Sequence, residues 1–127
     1  MKNSFLYFTV IIIFTFSCNK TNENNFAEIE YQKEIDFGTI NAKDTITKSF
    51  AIKNNSTVPL IIKNVKASCG CTLVKLKDSI IERNESTSIV ATYIPKKDDI
   101  GKISKSIVIE SNTKTGYNVM YLKGIVK

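Results

Sequence analysis

The 127-residue sequence contains no histidine. That excludes His-based general acid–base catalysis, Ser-His-Asp and Cys-His nucleophile systems, and every metal site built on imidazole. Tryptophan is also absent and there are only three cysteines, so the Cys-Trp-Cys core of antibody domains cannot form. Five glycines and two prolines exclude collagen-like and low-complexity chains. There is no Gly-rich phosphate loop, calcium loop or paired-carboxylate arrangement.

What remains is ordinary globular material, 43% hydrophobic and 24% charged, with room for one domain and one modest core. Lys plus Arg number 18 against 12 Asp plus Glu, a formal charge of +6. The excess is spread along the chain, which argues against a nucleic-acid partner.

The amino terminus reads as an export signal. Met1-Lys2-Asn3 is a short positive start, and Phe5 to Phe16 is an uncharged apolar run that stops before Ser17-Cys18. A membrane-spanning helix needs roughly 20 apolar residues, so the run fits a secretory signal better than a permanent span. Thr15-Phe16-Ser17-Cys18 resembles the lipobox of bacterial lipoproteins, in the looser form of the Bacteroidetes group, with Thr15 where an aliphatic residue is usual. The resemblance implies a signal peptide over 1–17, cleavage before Cys18, and lipid on the Cys18 sulfur holding the protein on a bilayer. The competing reading is a plain signal peptide or short anchor with Cys18 incidental. Residues 18–26 include the polar stretch Asn19 to Asn25, which cannot bury enough surface to fold and reads as a flexible tether. Its single acid, Glu23, gives no acidic surface-export cluster, so the domain is expected to face the periplasm of the cell envelope.

From residue 27 to 127 the pattern has period two and is rich in β-branched residues. In Thr45 to Lys53, Ile46, Phe50 and Ile52 share one face while Thr45, Thr47 and Ser49 share the other. Ser88 to Tyr93 groups Ile89, Ala91 and Tyr93, and Ile103 to Glu110 groups Ile103, Ile107 and Ile109. The last strand, Tyr117 to Val126, is apolar on both faces, as suits an interior strand. Breaks fall at Gly38, Asn54-Asn55-Ser56, Asp78, Arg83-Asn84, Lys96 to Gly101 and Ser111 to Gly116. About seven short strands at this spacing predict an all-β, immunoglobulin-like antiparallel β-sandwich, held by apolar packing alone. The Lys96-Lys97-Asp98-Asp99 run reads as a solvated loop of balanced sign.

Several segments resemble a bacterial family known as domain of unknown function 1573. They are Asp36-Phe37-Gly38-Thr39-Ile40, Phe50 to Asn55, Pro59-Leu60-Ile61-Ile62 and Ser68-Cys69-Gly70-Cys71-Thr72. Tyr93-Ile94-Pro95, Gly101, Ser111-Asn112 and Leu122-Lys123-Gly124 follow in the same order. The Ser-Cys-Gly-Cys-Thr segment is the specific one. Where the family tends to show Pro-Gly, this chain has Arg83-Asn84, and Asn tolerates the left-handed conformation such a turn needs. The resemblance implies an immunoglobulin-like fold on an exported, often lipidated protein, and supplies no activity.

With Cys18 lipidated, Cys69 and Cys71 are the remaining thiols, in an oxidising compartment. Residues i and i+2 of a regular strand point the same way but lie too far apart for the ~3.8 Å Cβ separation of a disulfide. Gly70 is expected to relax this by taking backbone angles closed to other residues. Four readings compete: a redox-active or structural disulfide, a two-thiolate clamp for Cu(I), two thiols that pack or stabilise a corner of the sandwich, and an enzyme nucleophile at Cys69 or Cys71, which the lack of any His base disfavours. Zinc is disfavoured within one chain, since it needs four ligands and there is no His. Met120 is the only other soft ligand. Between Thr45 and Lys77 lie Lys48, Lys53, Lys63, Lys66, Lys75 and Lys77 and no acid, a field expected to lower a thiol pKa.

Asp44-Thr45-Ile46 and Asp78-Ser79-Ile80 resemble the Asp-Ser/Thr-aliphatic acceptor for O-glycans on exported Bacteroidetes proteins, making Thr45 and Ser79 glycosylation candidates; they serve equally as turn residues that start strands. The reading is of a membrane-anchored module that binds another envelope protein by strand addition, with no cofactor and no catalysed reaction. The alternative is a copper-binding or thiol-redox accessory protein using Cys69 and Cys71.

Overall fold

The computed structural model describes residues 25–127. The signal peptide over 1–17, Cys18 and most of the tether lie outside the described residues. Alternation of apolar and polar side chains drives the whole remainder into strands: β1 (Ile29–Tyr31), β2 (Glu34–Ile40), β3 (Ile46–Asn54), β4 (Leu60–Ala67), β5 (Thr72–Leu76), β6 (Ile80–Ile81), β7 (Ser86–Tyr93), β8 (Gly101–Ser111) and β9 (Tyr117–Val126). They form two sheets, one of four strands ordered β1-β3-β7-β5 and one of five ordered β2-β9-β8-β4-β6.

The expected sandwich is therefore present, with nine strands among the described residues rather than about seven. Strands β1 and β6 are three and two residues long, too short to show a period; β6 falls between the breaks at Asp78 and Arg83-Asn84, while the breaks read from the sequence do not include the one between β4 and β5. The sheets are not wholly antiparallel either, because β2 runs parallel to β9. The chain passes from β1 to β2 through Gln32-Lys33 while changing sheets.

Register explains the core. Across the four-stranded sheet, Phe50 opposes Ile89, and Ala91 opposes Val74. Across the other, Ala67, Ile107 and Met120 form one inward row, and Val65 opposes Ile109. Phe50, Ile52, Leu60, Ile89, Ile107, Ile109, Met120 and Leu122 are fully buried between the sheets. Removing such a side chain from water stabilises by roughly 1.5–3 kcal/mol each. Strand β9 is interior, between β2 and β8, while its outward Tyr117, Tyr121 and Ile125 stay exposed.

Three punctuation residues behave differently from a simple break. Gly38 sits inside β2 at an irregularity between Asp36 and Thr39, with φ +78° and its N–H donating to Asp36 Oδ1 at 2.7 Å. It is a bulge, not a strand end, and positive φ is what glycine supplies there. Asn84 takes φ +61° in the turn between β6 and β7, so Arg83-Asn84 does form the turn. Asn54 is fully buried at the end of β3. Its Nδ2 donates to the carbonyls of Val58 (2.8 Å) and Ile81 (2.9 Å), and its Oδ1 accepts from the N–H and hydroxyl of Ser56.

Phe37 faces inward in alternation with Ile35, the bulge after it brings Ile40 to the same face, and the Phe37 ring packs on Gly124 of β9, 5.7 Å from the ring of Tyr93 in the opposite sheet. A Cβ on Gly124 would lie inside the Phe37 ring's van der Waals envelope. Gly124→Ala should destabilise by about 1–3 kcal/mol, the usual cost of overpacking, measured by urea unfolding. Combining it with Phe37→Leu should return part of that loss, whereas strict additivity would mean that the clash is relieved elsewhere.

Candidate functional site

Strand β4 leaves the five-stranded sheet at Ala67 and β5 enters the other sheet at Thr72. The crossover between them holds Cys69 and Cys71. Ser68 pins its entry: its N–H donates to the Ser106 carbonyl at 2.8 Å and its Oγ accepts the Ser106 N–H at 3.2 Å. The chain then turns, with the Thr72 N–H donating to the Cys69 carbonyl at 3.3 Å. The Ile94 N–H donates to the Cys71 carbonyl at 2.9 Å and fixes the exit.

Within this turn the sulfurs of Cys69 and Cys71 are joined in a disulfide, with the Cα atoms 5.3 Å apart. An extended strand would hold positions i and i+2 roughly 6.6 Å apart, so it is the turn that brings the two together. Gly70 contributes no glycine-only angle, contrary to expectation. Its φ lies outside the left-handed region, and a Cβ there would meet no atom within 4 Å.

The two sulfurs are not equivalent. Cys71 is buried and Cys69 is only partly so. The Thr72 hydroxyl, on a buried residue, lies 3.9 Å from Cys69 Sγ. The ring closed by the bridge spans three residues, for which chain entropy gives about 1.6 kcal/mol against about 3 kcal/mol for a 15-residue loop. A bridge inside one turn also joins neither sheet to the other. Its effect on the folded structure is confined to the shape of its own corner.

The lysine field does not converge on this corner. Alternation places Lys75 on the outer face of the four-stranded sheet and Lys66 on the outer face of the other, while Lys48 lies on an inward row opposite Ala91. Lys53 pairs in register with Glu30 and Ser86. Lys48, Lys53, Lys66 and Lys75 are thus dispersed by the same period that makes the strands.

Beside the crossover, Tyr93 and Asp99 form a cluster that sequence reasoning missed. The Tyr93 hydroxyl donates to Asp99 Oδ2 at 2.9 Å, the Lys96 N–H donates to the same oxygen at 3.0 Å, and Lys105 Nζ lies 3.4 Å from Oδ1. Lys105 also stands 5.5 Å from the Tyr93 ring centroid. The Lys96 N–H chiefly holds the Asp99 carboxyl below the usual carboxylate range; partial burial opposes this, and Tyr93 and Lys105 assist it. Burial, then Asp99, pushes the Tyr93 hydroxyl well above its ordinary value. Asp99 is thus a loop-closing acceptor under the core, not part of a merely solvated run. The spacing of Asp99 three residues after Lys96 was the available signal.

Thr45 and Ser79 are exposed, each just before a strand. The adjacent acids have turn roles: Asp44 Oδ2 accepts the Asn41 N–H at 2.9 Å, and Asp78 Oδ2 accepts from the Thr87 hydroxyl at 3.2 Å. Met120 is fully buried on β9 opposite Ile107. Among the described residues no group of three or more His, Cys, Asp or Glu could hold a metal ion. A Cu(I) clamp on Cys69 and Cys71 needs two thiolates, so it competes directly with the disulfide. Among the described residues no helix is long and apolar enough to cross a membrane.

Residues 27–126 match the family described as Protein of unknown function (DUF1573). No curated protein matches the sequence. Among solved structures, the chain is similar to a protein of unknown function from Porphyromonas gingivalis W83, with TM-score 0.72 and 18% identity, over 78% of this chain and 46% of that one. It is also similar to the ASH / PapD-like domain of human CEP192, with TM-score 0.65 and 12% identity, over 81% of this chain and 87% of that one. A third similar structure is the secreted serine protease VesC from Vibrio cholerae, with TM-score 0.62 and 15% identity, over 77% of this chain and 23% of that one. At these identities the likeness is one of fold. The chain spans less than half the length of the Porphyromonas protein.

The depressed Asp99 carboxyl carries a pH signature. A carboxylate held below its unfolded value of about 3.9 stabilises the fold fully above that pH, and the contribution is lost as pH falls through the folded value. The stability difference between the wild type and Asp99→Asn should therefore stay constant from about pH 5 to 7 and shrink below about pH 4. Urea midpoints across that range measure it. A difference that grows on acidification would remove Asp99 from the account.

Proposed function

Because the chain belongs to the DUF1573 family of proteins of unknown function, it inherits no activity, and we propose that it is an exported, lipid-anchored module that binds another envelope protein. Lipid on Cys18 holds it to a bilayer, the polar residues after Cys18 act as a leash, and the immunoglobulin-like domain faces the periplasm. It is a binding protein without a cofactor, and the absence of histidine from the sequence supports a non-enzymatic role.

The observation that carries the reading is the open edge at β5. Four strands end the two sheets. Strands β1 and β6 are three and two residues long and leave Ile46–Ala51 of β3 and Lys63–Ala67 of β4 without a partner strand on that side. The first stretch turns Lys48 inward, the second carries a register irregularity with Lys63 and Lys66 exposed, and β2 carries a bulge together with Glu34 and Asp36. These are the usual devices that keep a sheet edge from pairing. Strand β5, Thr-Leu-Val-Lys-Leu, pairs with β7 over its whole length, has no bulge, proline or acid, and exposes Leu73 to 60%. An extended segment of a partner can add there, gaining main-chain hydrogen bonds for affinity and side-chain contacts for specificity. Lys75 opposes a second positive strand and favours one that places a carboxylate at that level.

Two measurements test this. Intact mass of the protein purified from its native membrane should show lipid on Cys18, with residues 1–17 removed; an unmodified Cys18 would sink the anchor. Photocrosslinking from position 73 in the native envelope should trap one discrete partner, while position 34 on β2 traps none. Lys75→Glu should cut that yield roughly fivefold, the size of an exposed ion pair of about 1 kcal/mol. Crosslinks concentrated at β2 would overturn the choice of edge.

A further inference from the structure

The geometry points to a thiol–disulfide exchange site in which Cys69 is the exchanging sulfur, Cys71 the resolving one, and the Thr72 hydroxyl the donor that holds the Cys69 thiolate. The inference is independent of the β5 edge reading, since its readout is sulfur chemistry rather than partner capture.

Three observations converge on it. The bridge closes a ring within one turn and ties neither sheet to the other, so it can open and close while the sandwich remains packed. The two sulfurs differ in access, Cys69 being partly exposed and Cys71 buried at 4%. Exchange proceeds by in-line attack, which needs an approachable sulfur, and only Cys69 offers one. The Thr72 hydroxyl, on a buried residue, sits 3.9 Å from Cys69 Sγ. At that distance the hydroxyl can donate to the sulfur, which favours the thiolate once the bridge is open. Thr72 acts through Cys69 and is a positioning residue.

The cycle balances without a cofactor. In the reduced chain the Cys69 thiolate attacks one sulfur of an external disulfide. That bond breaks, a mixed disulfide forms at Cys69, and the first half of the substrate leaves as a thiolate and takes up a proton. Cys71 then loses its proton and attacks Cys69 Sγ, re-forming the 69–71 bridge and expelling the second half as a thiol. The substrate disulfide gains two electrons and the dithiol loses two. The reverse course, driven by an external dithiol, begins with attack on Cys69 and expels Cys71.

The test uses the whole protein, reduced, then mixed with glutathione disulfide and quenched with acid at intervals. Mass mapping should find the transient glutathione adduct on Cys69, followed by closure of the bridge with two glutathiones released per chain. Cys71→Ser should trap the adduct at Cys69 about tenfold faster than Cys69→Ser traps it at Cys71, as expected for sites that differ in exposure and thiolate character. Both rates should become similar in urea. Thr72→Val should raise the pH midpoint of the Cys69 reaction, and Thr72→Ser should restore it. A first adduct on Cys71, or equal folded-state rates, would overturn the assignment of roles. An adduct that accumulates in the wild type without closing the bridge, or a bridge that a dithiol opens only after unfolding, would overturn the exchange site itself. These wild-type outcomes need no variant to fold.

Discussion

The sandwich stands on side chains that alternate in and out of two facing sheets. Among the described residues no disulfide joins one sheet to the other, and no metal cluster does so. Every strand must therefore present one apolar row inward, and a one-residue slip would turn that row to solvent. The pairing of Phe50 with Ile89 and of Ile107 with Met120 follows from this requirement. So does the treatment of Asn54, a fully buried carboxamide. Asn54 can sit at the end of such a core only because both its donors and its oxygen are engaged, since an unpaired buried amide costs about 1–3 kcal/mol.

The strands that carry these rows were legible because a period of two is local information. Thr45 to Lys53, Ser88 to Tyr93 and Tyr117 to Val126 correspond to β3, β7 and β9 within two residues at each end. Features that depend on distant segments were not legible. A two-residue strand such as β6 exists only because β4 lies beside it, and nothing in Ile80-Ile81 alone says so. The parallel pairing of β2 follows from a change of sheet after β1, which no periodicity records. Gly38 was visible as a glycine, but a bulge and a turn call for the same residue, and only the partner strand β9 separates them.

The chemistry shows the same division. Cys-Gly-Cys was readable as a pair of sulfurs that a flat strand could not join, and that constraint is real. The solution is the turn from one sheet to the other, made by the backbone bonds of Cys69, Thr72 and Ile94, rather than special angles at Gly70. Thr72 was quoted as part of a motif, yet its closeness to Cys69 depends on the turn. The lysines between Thr45 and Lys77 misled for the converse reason. Residues close in sequence on strands are sent to opposite faces, so a count of charge along the chain overstates the field at any one point.

Placing the disulfide inside one turn separates sulfur chemistry from fold stability. A bridge between the sheets would make the core hostage to the redox state, because opening it would release a long loop in the unfolded chain. Closing three residues has little of that leverage, so the structural consequence of opening is confined to the corner between Ser68 and Thr72. That corner is anchored on both sides, by Ser106 and by Ile94, and it leads directly into the open edge of β5. Whatever happens at sulfur is therefore felt first at the start of that edge, while the Tyr93–Asp99–Lys105 cluster keeps the adjoining end of the core closed. The sandwich can therefore stay packed with the bridge open or closed, because among the described residues its stability depends on its apolar rows and not on a bond between the sheets.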